Sequence, residues 1–310
     1  MKDAFTLFLQ SKQLLLLDGG LSNQLEDQGC DLNNPLWSAS LLKDNETEII
    51  RAHQRYLEAG AQCIITASYQ ASVDGFIGQG LSEKEATRLI SKTVDLAHQA
   101  IDNYLDESEQ VNNRPLVAAS IGPYGASLTD GSEYHGRYNI SNTDLAHFHQ
   151  LRLQLLDQSK ADILACETIP SYQEAKVLAE LLMTVNTPAW VCFSCRDEKS
   201  LNDSTSIDEA AKLFAEHPNV HAIGINCTAP QYVTELIKRI KIHCKNKAII
   251  VYPNSGKHYD PISKLWHGTS SPMNYASAAK EWIAVGARIV GGCCQIGPKH
   301  IHQLKNTLSQ

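Results

Sequence analysis

The sequence predicts an α/β protein folded as a single (β/α)8 barrel of the TIM type, one domain over residues 1–310. Three observations predict it. Eight short apolar runs recur along the chain, each ends in small or polar residues, and the segments between them are long enough for a crossover helix. Parallel strands covered on both faces read as near-continuous apolar runs. Eight strand–helix alternations favour a closed barrel over an open sheet.

The first run is LLLLDGG (14–20), followed by QCIITASY (62–69), LVAASIG (116–122) and DILACET (162–168). AWVCFSC (189–195), HAIGINC (221–227), AIIVYPNSG (248–256) and ARIVGGCC (287–294) complete the set. Between them, SYQEAKVLAELLM begins with Ser171 as N-cap and carries Glu174 three residues later, a capping box. Pro230 and Pro298 stand where first-turn prolines belong, and the last helix is expected over 298–308. The connections 18–40 and 123–141 are long and follow strands, as active-site walls do. No low-complexity linker or charge block divides the chain.

A formal net charge of −7 argues against nucleic acid or an anionic membrane as partner. No apolar stretch approaches the roughly 20 residues of a membrane span. The opening MKDAFTLFLQSKQ has an acid at Asp3 and too brief an apolar run for a signal peptide. The expected address is cytoplasmic, where the nine cysteines should be reduced thiols.

Barrel active sites lie at the C-terminal ends of the strands. Those ends read Asp18-Gly19-Gly20, Thr66-Ala67-Ser68, Gly122, Glu167-Thr168, Asn226-Cys227, Asn254 and Cys293-Cys294. Neighbouring cysteines rarely pair, because Cα atoms about 3.8 Å apart fall short of the usual disulfide separation. A regular strand would turn Cys293 and Cys294 to opposite faces, but Gly291 and Gly292 permit a distortion that aims both at one point. With Cys227 they make three thiolates and one open position, the pattern of a catalytic zinc site. Two competing readings stand beside it: buried cysteine as a small hydrophobe, and a glycine pair that binds phosphate after a late barrel strand.

The remaining cysteines read as structural. Cys63, Cys192 and Cys195 fall inside strands, Cys166 precedes Glu167, Cys244 ends a helix and Cys30 lies in a loop. CFSC has CxxC spacing, yet i and i+3 on a strand face opposite ways. His147-Phe148-His149 imitates a barrel metal motif but lies in a helical stretch, as a solvated or partly packed pair. GSEYHGRY (131–138) reads as surface loop or lid. DGGLSNQ is a strand-to-helix turn, or a carboxylate with glycine amides able to grip an amino acid.

DGG at the first strand, TASYQAS at the second, ACET at the fourth, GINC at the sixth and GGCC at the eighth together resemble the homocysteine S-methyltransferase family. SIGPYGASLTDGSEYHGRY and YPNSG look most like its S-methylmethionine-using branch. The resemblance implies a barrel holding one zinc through Cys227, Cys293 and Cys294, with homocysteine and a sulfonium methyl donor as substrates. Homocysteine is a poor nucleophile as a thiol, and zinc would bind it as thiolate. By the same resemblance, Glu167 and Asp18 hold the homocysteine ammonium and amides around Gly19-Gly20 its carboxylate. Thr66, Ser68 and Asn226 line the same rim. A sulfonium favours aromatic faces, which makes Trp37, Tyr69, Tyr124 and Tyr134 candidates for the donor pocket. The alternatives are a betaine user, whose members generally carry a longer C-terminal extension, a zinc-dependent barrel hydrolase and a non-catalytic thiol–metal protein. A cobalamin-linked enzyme would need further domains.

Overall fold

A computed structural model describes residues 3–11, 13–32, 37–107, 113–260, 265–267 and 275–308. Its barrel strands are β1 (Leu15–Leu16), β2 (Cys63–Ile65), β3 (Leu116–Ile121), β4 (Ile163–Ile169), β5 (Ala189–Phe193), β6 (Val220–Asn226) and β7 (Ala248–Tyr252). A small antiparallel hairpin, β8 (His258–Asp260) and β9 (Leu265–His267), precedes the last barrel strand, β10 (Ala287–Val290). The eight barrel strands run parallel in the order β1-β10-β7-β6-β5-β4-β3-β2. A parallel bridge between Leu17 and Cys63 joins the two outer strands, reinforced by Gln62 N–H to Leu16 O at 2.7 Å and Asp18 N–H to Cys63 O at 3.1 Å. All eight apolar runs become barrel strands, so the fold is the (β/α)8 barrel that they predict.

Strand alternation sorts the side chains into two cores. Leu15, Leu17, Ala118, Ile163, Ala165, Trp190 and Ile289 face the barrel interior, while Leu16, Val117, Leu164, Val191 and Val290 pack under the helices. CFSC obeys the same parity: Cys192 belongs to the inner core and Cys195 to the outer one. Cys195 lies just past β5, joined to Leu201 by an isolated bridge, and not inside the strand as expected.

Two features were not expected from the sequence. The helix Ala4–Gln10, capped by Asp3, closes the N-terminal mouth, with Phe5 fully buried edge-on to Trp190 at 6.0 Å between centroids. The capping box at Ser171 is half formed. Ser171 accepts from the Glu174 amide, but the Glu174 carboxylate turns inward to His149 Nε2 at 2.7 Å and the Tyr124 amide at 2.6 Å. His149 is therefore fully buried and not solvated, whereas His147, on the same helix, is exposed. A fully buried carboxylate keeps its place only where such donors meet it, so packing overrides the local signal.

Candidate metal centre and active site

At the C-terminal end of the barrel a cleft of about 760 Å³, mouth included, is lined by Gly19, Gly20, Thr66, Glu167 and all three cysteines, Cys227, Cys293 and Cys294. Among the described residues this is the one cluster able to hold a metal ion, its three sulfurs lying within 4.8 Å of one another.

Two local structures bring the sulfurs together. Cys227 follows β6 in the left-handed region, φ 45°, with its amide donating to Tyr252 O at 3.3 Å. Cys293 and Cys294 lie on a turn beyond β10, so strand alternation no longer separates them. The turn is held by Cys293 N–H to Pro253 O at 2.9 Å and Ile296 N–H to Cys293 O at 3.1 Å. Gly291 and Gly292 act differently from the expected distortion. Neither has a positive φ, but a Cβ on Gly292 would collide with the Ile296 side chain, and one on Gly291 with Leu17 and the Asp18 carbonyl. They permit close approach, not an unusual conformation.

Cys227 Sγ lies 3.4 Å from Cys294 Sγ, and Cys293 Sγ lies 3.9 Å from Cys294 Sγ. Zinc–sulfur bonds of about 2.3 Å in a tetrahedron set sulfurs roughly 3.8 Å apart, so these two spacings fit a common ion. Cys227 and Cys293 form a disulfide, their Cα atoms 5.5 Å apart. An ion held by all three sulfurs requires that pair in its reduced form. Side chains converging on one ligand are necessarily within bonding reach of each other, and that Cα separation lies in the ordinary disulfide range. Cys294 and the six cysteines away from the site remain free thiols.

Glu167 reaches the cleft because it shares inward parity with Ile163 and Ala165, and because the β4–β5 register shifts between Cys166 and Ile169. Such shifts re-aim side chains. Ser120 Oγ donates to its carboxylate, and Tyr252 also hydrogen-bonds it. Burial nevertheless pushes the Glu167 carboxyl up to about 7. Asp18 stands behind the cleft wall, Oδ2 accepting from the Ile65 amide at 2.8 Å while Oδ1 is buried without a partner among the described residues. Burial, and then the neighbouring Glu167 charge, raise its pKa well above the ordinary carboxylate range.

The other expected rim residues divide. Thr66 lines the cleft; Ser68 is fully buried behind it, its hydroxyl 2.7 Å from Thr66 Oγ1 and donating to Ser120 O at 2.7 Å. Asn226 is also fully buried, holding Thr168 and passing 4.0 Å from Cys293 Sγ. Gly20 N–H is committed to Ile296 O at 2.9 Å, so of the two glycine amides only that of Gly19 is without a partner among the described residues. Of the donor-pocket aromatics, Tyr69 and Tyr134 line the cleft. Tyr124 packs edge-on against Tyr138 and Phe148, and the Trp37 side chain lies outside the described residues. Sequence reasoning missed Ser120, Tyr252 and Glu133. The inward parity of β3 and β7 could have signalled the first two; Glu133 lies in GSEYHGRY, read as surface loop or lid, where nothing singles out its carboxylate.

The family model for homocysteine S-methyltransferases matches residues 15–308. The chain is 44% identical over 299 residues to homocysteine S-methyltransferase YbgG of Bacillus subtilis, covering 96% of this chain and 95% of that protein. It is likewise 44% identical to homocysteine S-methyltransferase of Escherichia coli, covering 96% of each. The metallated crystal form of the Escherichia coli homocysteine methyltransferase MmuM superimposes with a TM-score of 0.86 at 41% identity, covering 96% of this chain and 98% of that one. Its oxidised form also gives 0.86, at 42% identity and with 96% and 97% covered. On this evidence of sequence, fold and site, the chain belongs to the homocysteine S-methyltransferase family and is a methyltransferase acting on homocysteine.

Proposed function

We propose that this single-domain enzyme moves a methyl group from S-methylmethionine to homocysteine, forming two methionines per turnover, with S-adenosylmethionine used less well. The observation that carries the reading is the convergence of Cys227, Cys293 and Cys294 beside Glu167 in one cleft. One zinc per chain, held by the three cysteines, would supply the Lewis acidity that keeps the substrate thiol ionised at neutral pH. Three soft donors favour zinc over magnesium or calcium. Glu167, with Asp18 behind it, holds the homocysteine ammonium, and the Gly19 amide is the donor available to its carboxylate. Thr66 borders the same space, while Ser68 and Asn226 act by positioning their neighbours.

The ionised homocysteine sulfur attacks the methyl carbon, the old carbon–sulfur bond breaks with its electron pair on the donor sulfur, and a neutral thioether leaves. The positive charge of the donor cancels against the thiolate, so no protein base is needed for the transfer. A tertiary amine from betaine is a poorer leaving group, and methyl-folate poorer still without activation. The cytoplasm, which keeps thiols reduced, is the compartment in which the three cysteines stay available. No helix among the described residues is long and apolar enough to cross a membrane.

The test is pure enzyme with homocysteine and equal amounts of S-methylmethionine, S-adenosylmethionine, betaine and methyl-folate, counting methionine. Fastest turnover with S-methylmethionine is expected. Faster turnover with betaine or methyl-folate would overturn the donor assignment.

A further inference from the structure

A second carboxylate faces the same cleft and is not one of those assigned to the homocysteine ammonium. Glu133 lies in the short 3-10 turn Ser132–Tyr134, only 5% exposed, and its side chain forms part of the cleft wall together with Tyr134 and Tyr69. Its Oε2 is buried and meets no hydrogen-bond donor among the described residues. The turn that carries it is built in place. Asp130 Oδ1 accepts from the Ser132 amide at 2.9 Å, Asn202 Nδ2 donates to Glu133 O at 3.4 Å, and Gly136, at φ 64°, packs against Pro170. Arg137, four residues on, is spent on Ser204 at 3.3 Å.

The charge around Glu133 is one-sided. No Lys, Arg or His lines the described cleft, while both Glu133 and Glu167 do, with Asp18 behind. Burial drives the Glu133 carboxyl up to about 7, Asp130 adds to the rise, and no cation of the protein opposes it. An ionised carboxylate removed from water is costly unless a cation meets it. Homocysteine brings one ammonium, which Glu167 and Asp18 account for on the barrel floor. The second substrate is the remaining source of a cation for Glu133.

We infer that Glu133 is the donor-binding carboxylate, recognising the net positive charge of a sulfonium methyl donor and selecting against neutral or anionic ones. The inference rests on the proposed donor reading and extends it. S-Methylmethionine and S-adenosylmethionine each carry net +1 from sulfonium, ammonium and carboxylate. Betaine is net neutral and methyl-folate anionic, so an acid-only cleft ranks the donors by charge before leaving-group chemistry acts.

Zinc-loaded wild type, Glu133→Gln and Glu133→Asp are compared for donor KM, homocysteine KM, zinc per chain and calorimetric binding of S-methylmethionine. Glu133→Gln keeps the shape and removes the charge. It is expected to weaken S-methylmethionine roughly 10- to 100-fold, the scale of a charge-assisted hydrogen bond, and to narrow its advantage over betaine. Homocysteine KM and zinc content should stay within twofold of wild type, and Glu133→Asp should recover part of the loss. An unchanged donor KM in Glu133→Gln, or an equal rise in homocysteine KM, would overturn the inference. Wild type that prefers betaine would instead sink the donor reading itself, so the two failures are distinct.

Discussion

Asn226 grips Thr168 from two sides: its Oδ1 accepts from the Thr168 amide at 2.6 Å and its Nδ2 donates to the Thr168 hydroxyl at 2.7 Å. Thr168 has φ 60°, a conformation rare for a β-branched residue, and it directly follows Glu167. The clamp therefore stabilises a strained kink within β4, at the register shift between Cys166 and Ile169, that aims the carboxylate into the cleft.

Removing the clamp should be felt in both stability and binding. Asn226→Ala leaves the buried Thr168 amide unpaired and takes one partner from its hydroxyl, at a cost of about 1–3 kcal/mol. Urea unfolding should read that loss, and homocysteine KM should rise while donor KM changes little. Wild-type stability would mean that Thr168 holds its conformation unaided.

The three sulfurs should behave as one unit. Cys227→Ser, Cys293→Ser and Cys294→Ser are each expected to lose tight zinc binding and nearly all activity, yet to keep the wild-type circular dichroism spectrum. The barrel core is made of the inward and outward apolar residues and does not depend on the rim. Metal analysis per chain checks this; a zinc-replete, active variant would remove that cysteine from the ligand set.

Glu167 sets binding against stability. Glu167→Gln should weaken homocysteine by about 1.5–3 kcal/mol, the range of a charge-assisted hydrogen bond. With its carboxyl raised from 4.5 to about 7, the free folded protein holds a proton that the unfolded chain has lost. The contribution of Glu167 to stability therefore falls as pH rises from 4.5 through about 7, by about 3 kcal/mol, beside the separate share of Glu133. In the substrate-free, metal-free protein, Glu167→Gln should flatten that decline and be the more stable form at pH 8. Denaturant titrations from pH 5 to 8 measure it.

His53 gives the opposite slope. It is fully buried with neither ring nitrogen bonded among the described residues, and burial alone lowers its pKa from 6.5 to about 4. The unfolded state binds the extra proton here, so this stabilisation is complete above pH 6.5 and is lost as pH falls toward 4. The loss amounts to about 3 kcal/mol. His53→Leu should remove it, visible as a higher melting temperature at pH 5 with little change at pH 8.

Much of this was legible because barrels translate sequence position into place. Each apolar run ends at the rim, so reading the run ends alone found Glu167, Thr66 and the three cysteines. Which rim residues reach the cleft depends on parity and on packing between strands. Asn226 and Ser68 end up behind the wall, and Ser120 and Tyr252, the first residues of the SIGPYG and YPNSG stretches, support Glu167. Glu174 and Glu133 were hidden for another reason. A carboxylate in a capping position or a polar loop carries no local sign that tertiary packing will bury it. The N-terminal helix was equally silent, since seven residues of mixed polarity become a plug only against Trp190.

The bridge between Leu17 and Cys63, with Asp18 bonded to both Cys63 O and the Ile65 amide, is where the cylinder is sewn shut. β1 must also wait for β10, the last of the barrel strands to be synthesised, before its other edge is paired. On a ribosome, then, the edge of Leu15 and Leu16 that faces β10 emerges early and stays unmatched until Cys293 and Cys294 are about to appear. The pairing of β1 with β10 and the meeting of Cys293 and Cys294 with Cys227 therefore both wait for the same last stretch of chain.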